Sequence, residues 1–301
     1  MEQAERAVFA RYDVAVEARY VELAEPRLRV RVIESGDGPP VILIPGDGAV
    51  AAAWAPLMGE LGERRALVLD RPCFGLSDHF DYRAADLRHH GPALLASLLD
   101  ALDLESAPII GSSGGAEWSL WLGADRPERT SLLIPMGAPA VSLPGFRPNA
   151  NMRLLSMPGL GRLLTALPSP SPQATGKMLA STDAHLPEHP EVVAAYHEAM
   201  RMRSFGQGTA SIFRRSMRPG GHPRPENLLG DEELAAVTAP TLFVWGEKEP
   251  FGSPDAARRA AGLMPDASVE VIENAWHHPW LADAAGVGRI VRDFLDRHER
   301  V

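Results

Sequence analysis

The run Pro108-Ile109-Ile110-Gly111-Ser112-Ser113-Gly114-Gly115-Ala116-Glu117-Trp118 constrains this chain more than any other stretch. A short apolar segment ends in a small-residue turn, and a helical pattern starts at once. A strand that turns so sharply into a helix puts Ser113 in a strained conformation. It also brings flanking backbone so close that side chains at positions 111 and 115 would clash. The strain exposes the Ser113 hydroxyl, and the next N–H, that of Gly114, points from a helix N-terminus toward developing negative charge. The same letters also suit a Gly/Ser loop in which Ser112 or Ser113 caps a helix, so the surrounding chain decides.

Residues 3–11 predict a short helix. Arg19–Leu23 and Leu28–Val32 alternate with period two, as half-exposed strands joined by a turn near Glu25-Pro26. Val41–Ile44, Ala66–Leu69, Pro108–Ile110 and Leu132–Ile134 are continuous apolar runs, expected of strands buried on both faces. Helical patterns separate them over 49–61, 84–102 and 116–124. This order predicts an α/β fold, a mostly parallel sheet covered on both faces with an antiparallel start.

From about residue 138 to 227 the rhythm breaks. Pro, Met, Arg and His accumulate, and helical patterns lie at 152–167, 190–202 and 207–217 with no strong strand. The rhythm returns with Thr241–Trp245, a helix capped by Asp255, the strand Ser268–Ile272 and a terminal helix over 282–297. The expected organisation is a core of 1–137 and 228–301 with a helical lid inserted at 138–227.

Bulk properties exclude several classes. A net charge of −9 argues against a nucleic-acid surface. No apolar run approaches the ~18 residues of a membrane span. Cys73 is the single cysteine, so no intramolecular disulfide is possible, and Met1–Arg6 lacks the apolar core of a signal peptide. These features predict a cytoplasmic protein. No zinc-ligand spacing is present, and no metal or other cofactor is expected.

Five landmarks, each after a predicted strand, carry a resemblance: Pro45-Gly46-Asp47, Asp70-Arg71-Pro72-Cys73-Phe74-Gly75-Leu76-Ser77-Asp78, the Ser113 turn, Trp245-Gly246-Glu247-Lys248-Glu249-Pro250, and Asn274-Ala275-Trp276-His277. In this order they resemble the α/β-hydrolase family, in its capped branch of esterases, carbon–carbon bond hydrolases, epoxide hydrolases and haloalkane dehalogenases. The resemblance implies an eight-stranded sheet with the site at the strands' carboxyl ends. It implies Ser113 as nucleophile, His277 as its base and Glu249 as the carboxylate that orients His277, with Glu247 and His278 as rivals. It implies an oxyanion hole from the N–H groups of Gly114 and Asp47. Pro45 departs from the family's usual His. The Asp47 carboxylate either points away from the pocket or binds a polar substrate group.

Serine at the turn removes halide displacement and epoxide opening, which this family performs with Asp. What remains is acyl transfer to water from an ester, thioester, lactone or amide, or cleavage of a β-diketone-like carbon–carbon bond. Lyase or cofactor-free oxygenase chemistry and ligand binding on an idle scaffold are the alternatives. Gly46, Trp118, Trp276 and Trp280 are candidate pocket walls, and a hydrophobic small-molecule acyl substrate is expected. Arg153, Arg162 or Arg201 in the lining would instead imply an anionic one.

Overall fold

In the computed structural model, which describes residues 1–161, 163 and 169–299, one eight-stranded sheet organises the molecule. Its strands are β1 Glu17–Leu23, β2 Leu28–Ser35, β3 Pro40–Ile44, β4 Arg65–Asp70, β5 Ala107–Ser112, β6 Thr130–Met136, β7 Thr241–Gly246 and β8 Ala267–Ile272, in the spatial order β1-β2-β4-β3-β5-β6-β7-β8. β1 pairs antiparallel with β2, and β2 with β4; every later pairing is parallel. The expected antiparallel start and parallel body are both present. β5 is buried along its whole length, as its run of apolar and small residues requires.

The α-helices of six residues or more, among the described residues, are α1 Glu2–Arg11, α2 Leu87–Ala101, α3 Gly114–Asp125, α4 Ala150–Ser156, α5 Pro172–Ala180, α6 Pro190–Met200, α7 Arg203–Ser216, α8 Asp231–Ala236, α9 Pro254–Ala261 and α10 Ala284–Glu299. α3 is buried on nearly every side, so its sequence lacks a polar face. α4 to α7 all fall between β6 and β7, where strand patterns are missing from the sequence.

Several local expectations need correction. The helix expected over 49–61 is a 3₁₀ turn, Ala51–Trp54, followed by one α turn, Ala55–Met58. Pro56 fits only a first turn, and Gly59 and Gly62 end the segment. Its apolar residues Trp54, Leu57 and Leu61 are nevertheless all buried. The pattern over 152–167 is interrupted at Met157-Pro158-Gly159: α4 ends at Ser156 and helix resumes at Leu160, while residues 162 and 164–167 lie outside the described residues. Ser253, not Asp255, caps α9, accepting the Asp255 N–H at 3.2 Å; the Asp255 carboxylate pairs with Arg258 instead. α5 begins at a Ser171 cap beside Pro172 inside a Pro-rich run, which hid it.

All parallel strands direct their carboxyl ends to one edge. Six loops leave that edge, beginning with Pro45, Arg71, Ser113, Gly137, Glu247 and Glu273. The loop after β4 is built on Asp70, whose carboxylate accepts the Leu76 N–H at 2.6 Å and pairs with Arg31 at 3.5 Å. A Cβ at Gly75 would lie 1.7 Å from that carboxylate, so only glycine fits there.

Candidate active site

Ser113 sits between β5 and α3 at φ 50°, ψ −119°, a conformation that side chains rarely adopt. Strain of this kind costs about 1–3 kcal/mol and persists only where packing enforces it. Here packing does so. A Cβ at Gly111 would lie 2.6 Å from the Ala116 nitrogen, and one at Gly115 2.1 Å from the Ile44 carbonyl oxygen. The crowding inferred from the Gly–Gly spacing is therefore real backbone contact.

His277 leaves the loop after β8 and is 3 % exposed. Its Nδ1 lies 2.8 Å from Glu249 Oε2, which assigns the proton to Nδ1 and turns Nε2 toward the cavity. Glu249 also accepts the Ala138 N–H at Oε2 and the Phe251 N–H at Oε1, both at 2.9 Å. Burial pushes its carboxyl pKa up. The neighbouring His277 and the three hydrogen bonds outweigh that and hold it below the ordinary glutamate value. Glu247 is exposed and accepts the Asn274 N–H at 2.9 Å, so it is Glu249 that meets His277. Ser113 and His277 face the same cavity, with no hydrogen bond between them among the described residues. Such contacts are often long in ligand-free sites.

The Asp47 carboxylate points away from the cavity floor and into the protein. Its Oδ1 pairs at 2.8 Å with Arg71 Nη1, which also donates to the Pro45 carbonyl at 3.1 Å. The Arg71 guanidinium, fully buried, lies 3.7 Å over the Trp118 ring. Burial raises the Asp47 pKa, and Arg71 opposes the rise. A Cβ at Gly114 would lie 2.4 Å from Asp47 Oδ1, so Gly114 and Asp47 meet at van der Waals distance. Beneath them Glu117 is buried and accepts the Val141 N–H at 3.0 Å; burial, then the charge of Asp47, raises its pKa strongly. Arg71 and Glu117 were not singled out for this site from sequence. The signal was present in Arg71, next to Asp70 in a strand-end loop.

The cavity over these groups has a volume of about 360 Å³. Gly46, Asp47, Ser113, His277 and His278 line its floor, and Met152, Leu154, Met178, Leu179, Phe205 and Phe213 supply apolar walls from α4, α5 and α7. Of the expected aromatic walls, Trp118 is buried under Arg71 and Trp280 is stacked on Trp54 at 4.2 Å, with its indole N–H donated to the Ala53 carbonyl. Both belong to the core, and Trp276 also stays out of the lining. Arg153 and Arg201 do not line the cavity; Arg162 lies outside the described residues. Cys73 is a buried side chain whose thiol burial pushes up to about 11.

His278 brings a group that no sequence argument found. Asp183, buried between α5 and α6, accepts the His278 N–H at 2.7 Å and lies 3.2 Å from its Nδ1. Nearby, His185 Nε2 donates to the Asn274 carbonyl at 3.2 Å and His189 Nε2 to the Leu281 carbonyl at 3.0 Å. The segment 183–189 is thus fastened along the loop that carries His277. Asp183 is 95 residues from His278 in sequence, and no local pattern announces the pairing.

Among the described residues, no group of three or more His, Cys, Asp or Glu is placed to hold a metal ion, and no helix is long and apolar enough to cross a membrane. A family model described as "Alpha/beta hydrolase family" matches residues 41–289. A 2-hydroxy-6-oxononadienedioate/2-hydroxy-6-oxononatrienedioate hydrolase of Pseudomonas putida is 27 % identical over 297 residues, covering 93 % of this chain and 97 % of that protein. Two solved structures share the fold. A carboxylesterase of Bacillus subtilis has a TM-score of 0.71 at 22 % identity, covering 98 % of this chain and 96 % of that one. The 2-hydroxy-6-oxo-6-phenylhexa-2,4-dienoate hydrolase of a Rhodococcus strain has a TM-score of 0.75 at 19 % identity, with 94 % and 100 % covered.

Proposed function

The chain belongs to the alpha/beta hydrolase family and is a hydrolase; from that premise we propose a cofactor-free serine hydrolase acting through an acyl-enzyme on Ser113. The observation that carries the reading is the strained Ser113 sharing one cavity with a His277 held by Glu249 at 2.8 Å.

In this reading Ser113 Oγ attacks the substrate carbonyl carbon as His277 Nε2 takes its proton. The Glu249 carboxylate stabilises the imidazolium and fixes its tautomer. The oxyanion is received by the N–H groups of Gly114 and Asp47. Collapse returns the proton from Nε2 to the departing group. Water then attacks the acyl-serine, again deprotonated by His277, and Ser113 leaves with the proton. The helices of 138–227 serve as a cap that walls the pocket and keeps it apolar.

The cavity supports an uncharged, mainly apolar acyl substrate, best an ester. The cavity lining among the described residues carries no Arg or Lys, which a dicarboxylate would call for. A second reading, carbon–carbon bond hydrolysis, is favoured by the sequence similarity to the Pseudomonas putida hydrolase across 93 % of this chain. Fluorophosphonate labelling with peptide mapping tests the mechanism. One adduct on Ser113, lost in His277→Ala, is expected; folded protein that takes no adduct overturns it. A panel of p-nitrophenyl esters beside a 2-hydroxy-6-oxo-dienoate, followed by loss of its colour, separates the two substrate classes.

A further inference from the structure

Two histidines share the cavity floor, and each has its own carboxylate. His277 is held by Glu249 from the β7 loop, and His278 by Asp183 from the inserted helices. Their rings meet edge to face, 5.0 Å between centroids and 74° between planes. The acyl-transfer reaction uses only the first. The second is therefore a buried imidazole with no role in the chemistry, on the lining of the cavity that Ser113 and His277 share.

The geometry fixes what that imidazole offers. Asp183 Oδ2 takes the His278 main-chain N–H at 2.7 Å and the Nδ1 edge at 3.2 Å, while Oδ1 takes the His185 N–H at 2.9 Å. The carboxylate is thereby committed, and Nδ1 carries the proton that faces it. Trp280 stands at 83° to the ring, 5.1 Å away, and its own N–H is spent on the Ala53 carbonyl. Nε2 is left with no protein donor among the described residues, on a ring that lines the cavity. Burial lowers the tendency of His278 to take a second proton, and Asp183 only partly offsets this. The free nitrogen is thus an acceptor rather than a cation.

We propose that His278, oriented by Asp183, is a specificity-determining residue whose Nε2 accepts a hydrogen bond from a hydroxyl or enol group close to the scissile carbonyl of the substrate. The proposal rests on the serine-hydrolase reading above and narrows it to hydroxylated carbonyl substrates. A buried acceptor left unmatched by a plain substrate is a penalty that a matching donor removes, so the preference belongs to the site itself.

The test compares methyl octanoate, methyl 3-hydroxyoctanoate and methyl 3-oxooctanoate as competitors that slow fluorophosphonate labelling of Ser113. The hydroxy ester is expected to be roughly tenfold more potent than the parent, the scale of one hydrogen bond. In His278→Phe that ratio falls to about one, whatever the overall loss. Asp183→Ala removes the one oxygen that holds both the main-chain N–H and the Nδ1 edge of His278. The ring then loses its fixed orientation, and the advantage of the hydroxy ester over the parent and the oxo ester shrinks. Equal potency of parent and hydroxy esters on the native protein, or an unchanged ratio in His278→Phe, overturns the proposal. Absence of Ser113 labelling in the native protein overturns the hydrolase reading instead, so the two failures are distinct.

Discussion

Replacing Arg71 by methionine probes the charge balance under the oxyanion loop. Arg71 is the counter-ion of Asp47 at 2.8 Å and ties the Pro45 carbonyl at 3.1 Å, with both charged side chains almost fully buried. Removing one partner of such a pair costs about 3–5 kcal/mol of stability, since the other charge stays buried alone. The same charge also acts on catalysis. A Cβ on Gly114 would lie 2.4 Å from Asp47 Oδ1. An oxyanion held by the Gly114 N–H on the cavity side is taken to lie on the order of 5–6 Å from the carboxylate. At an effective dielectric of about 20 the repulsion is about 3 kcal/mol, a rate loss on the order of 10². The effect has a defined pH sense. Burial already raises the Asp47 pKa, and the charge and hydrogen bond of Arg71 oppose the rise. Without Arg71 the folded-state pKa rises further above the unfolded value. Stability is then retained at acid pH and lost as pH rises toward the folded pKa. Urea unfolding between pH 4.5 and 9 should show a deficit that widens with pH, and Ser113 labelling should slow in the same direction. Asp47→Asn combined with Arg71→Met keeps the main-chain N–H and removes both charges. It should recover most of the stability and bring labelling to within about tenfold of native. An Arg71→Met protein with native stability at pH 9, or a double variant no better than the single one, refutes the reasoning.

Three further outcomes are expected. Glu249→Ala should lower kcat by about 10⁴, as loss of the acid does in the serine-protease template. Glu247→Ala, measured on the same ester, should change it less than about tenfold. Ser113→Gly should abolish labelling and raise the free energy of unfolding by about 1 kcal/mol in urea titrations, because glycine relieves the strain at φ 50°. Glu117→Gln should leave stability near pH 4.5 unchanged and raise it at pH 9. Burial lifts the Glu117 pKa, so the native protein loses stability as pH rises and the carboxyl is forced to ionise.

What sequence could show follows from the range of each interaction. The buried strands were legible because a strand covered on both faces is apolar along its centre, as residues 41–44, 66–69, 108–110, 132–134 and 242–245 are, with polar residues such as Arg65, Asp70, Thr130 and Thr241 at the strand ends. The Ser113 turn was legible because its crowding forces glycine at fixed neighbours. The pairing of His277 with Glu249 followed from loop order on a parallel sheet, where distant strand ends converge. Trp118 and Trp280 misled because an aromatic near a catalytic loop serves a wall or a core equally well; only the Arg71 and Trp54 stacks decide. The buried contacts of Arg71 with Asp47 and of Asp183 with His278 were illegible. Each joins residues from separate elements, with no periodicity to mark the pair.

The fastening of residues 183–189 along the His277 loop limits how the pocket can accommodate a guest. Three contacts tie the strip: Asp183 to His278, His185 to the Asn274 carbonyl and His189 to the Leu281 carbonyl. Such a strip behaves as a riveted margin. Elsewhere around the cavity α4 packs on α7, and Met152, Leu154, Phe205 and Phe213 present apolar side chains to it. Substrate bulk directed at the fastened strip is therefore expected to be tolerated less well than an acyl chain running toward Met152 and Leu154.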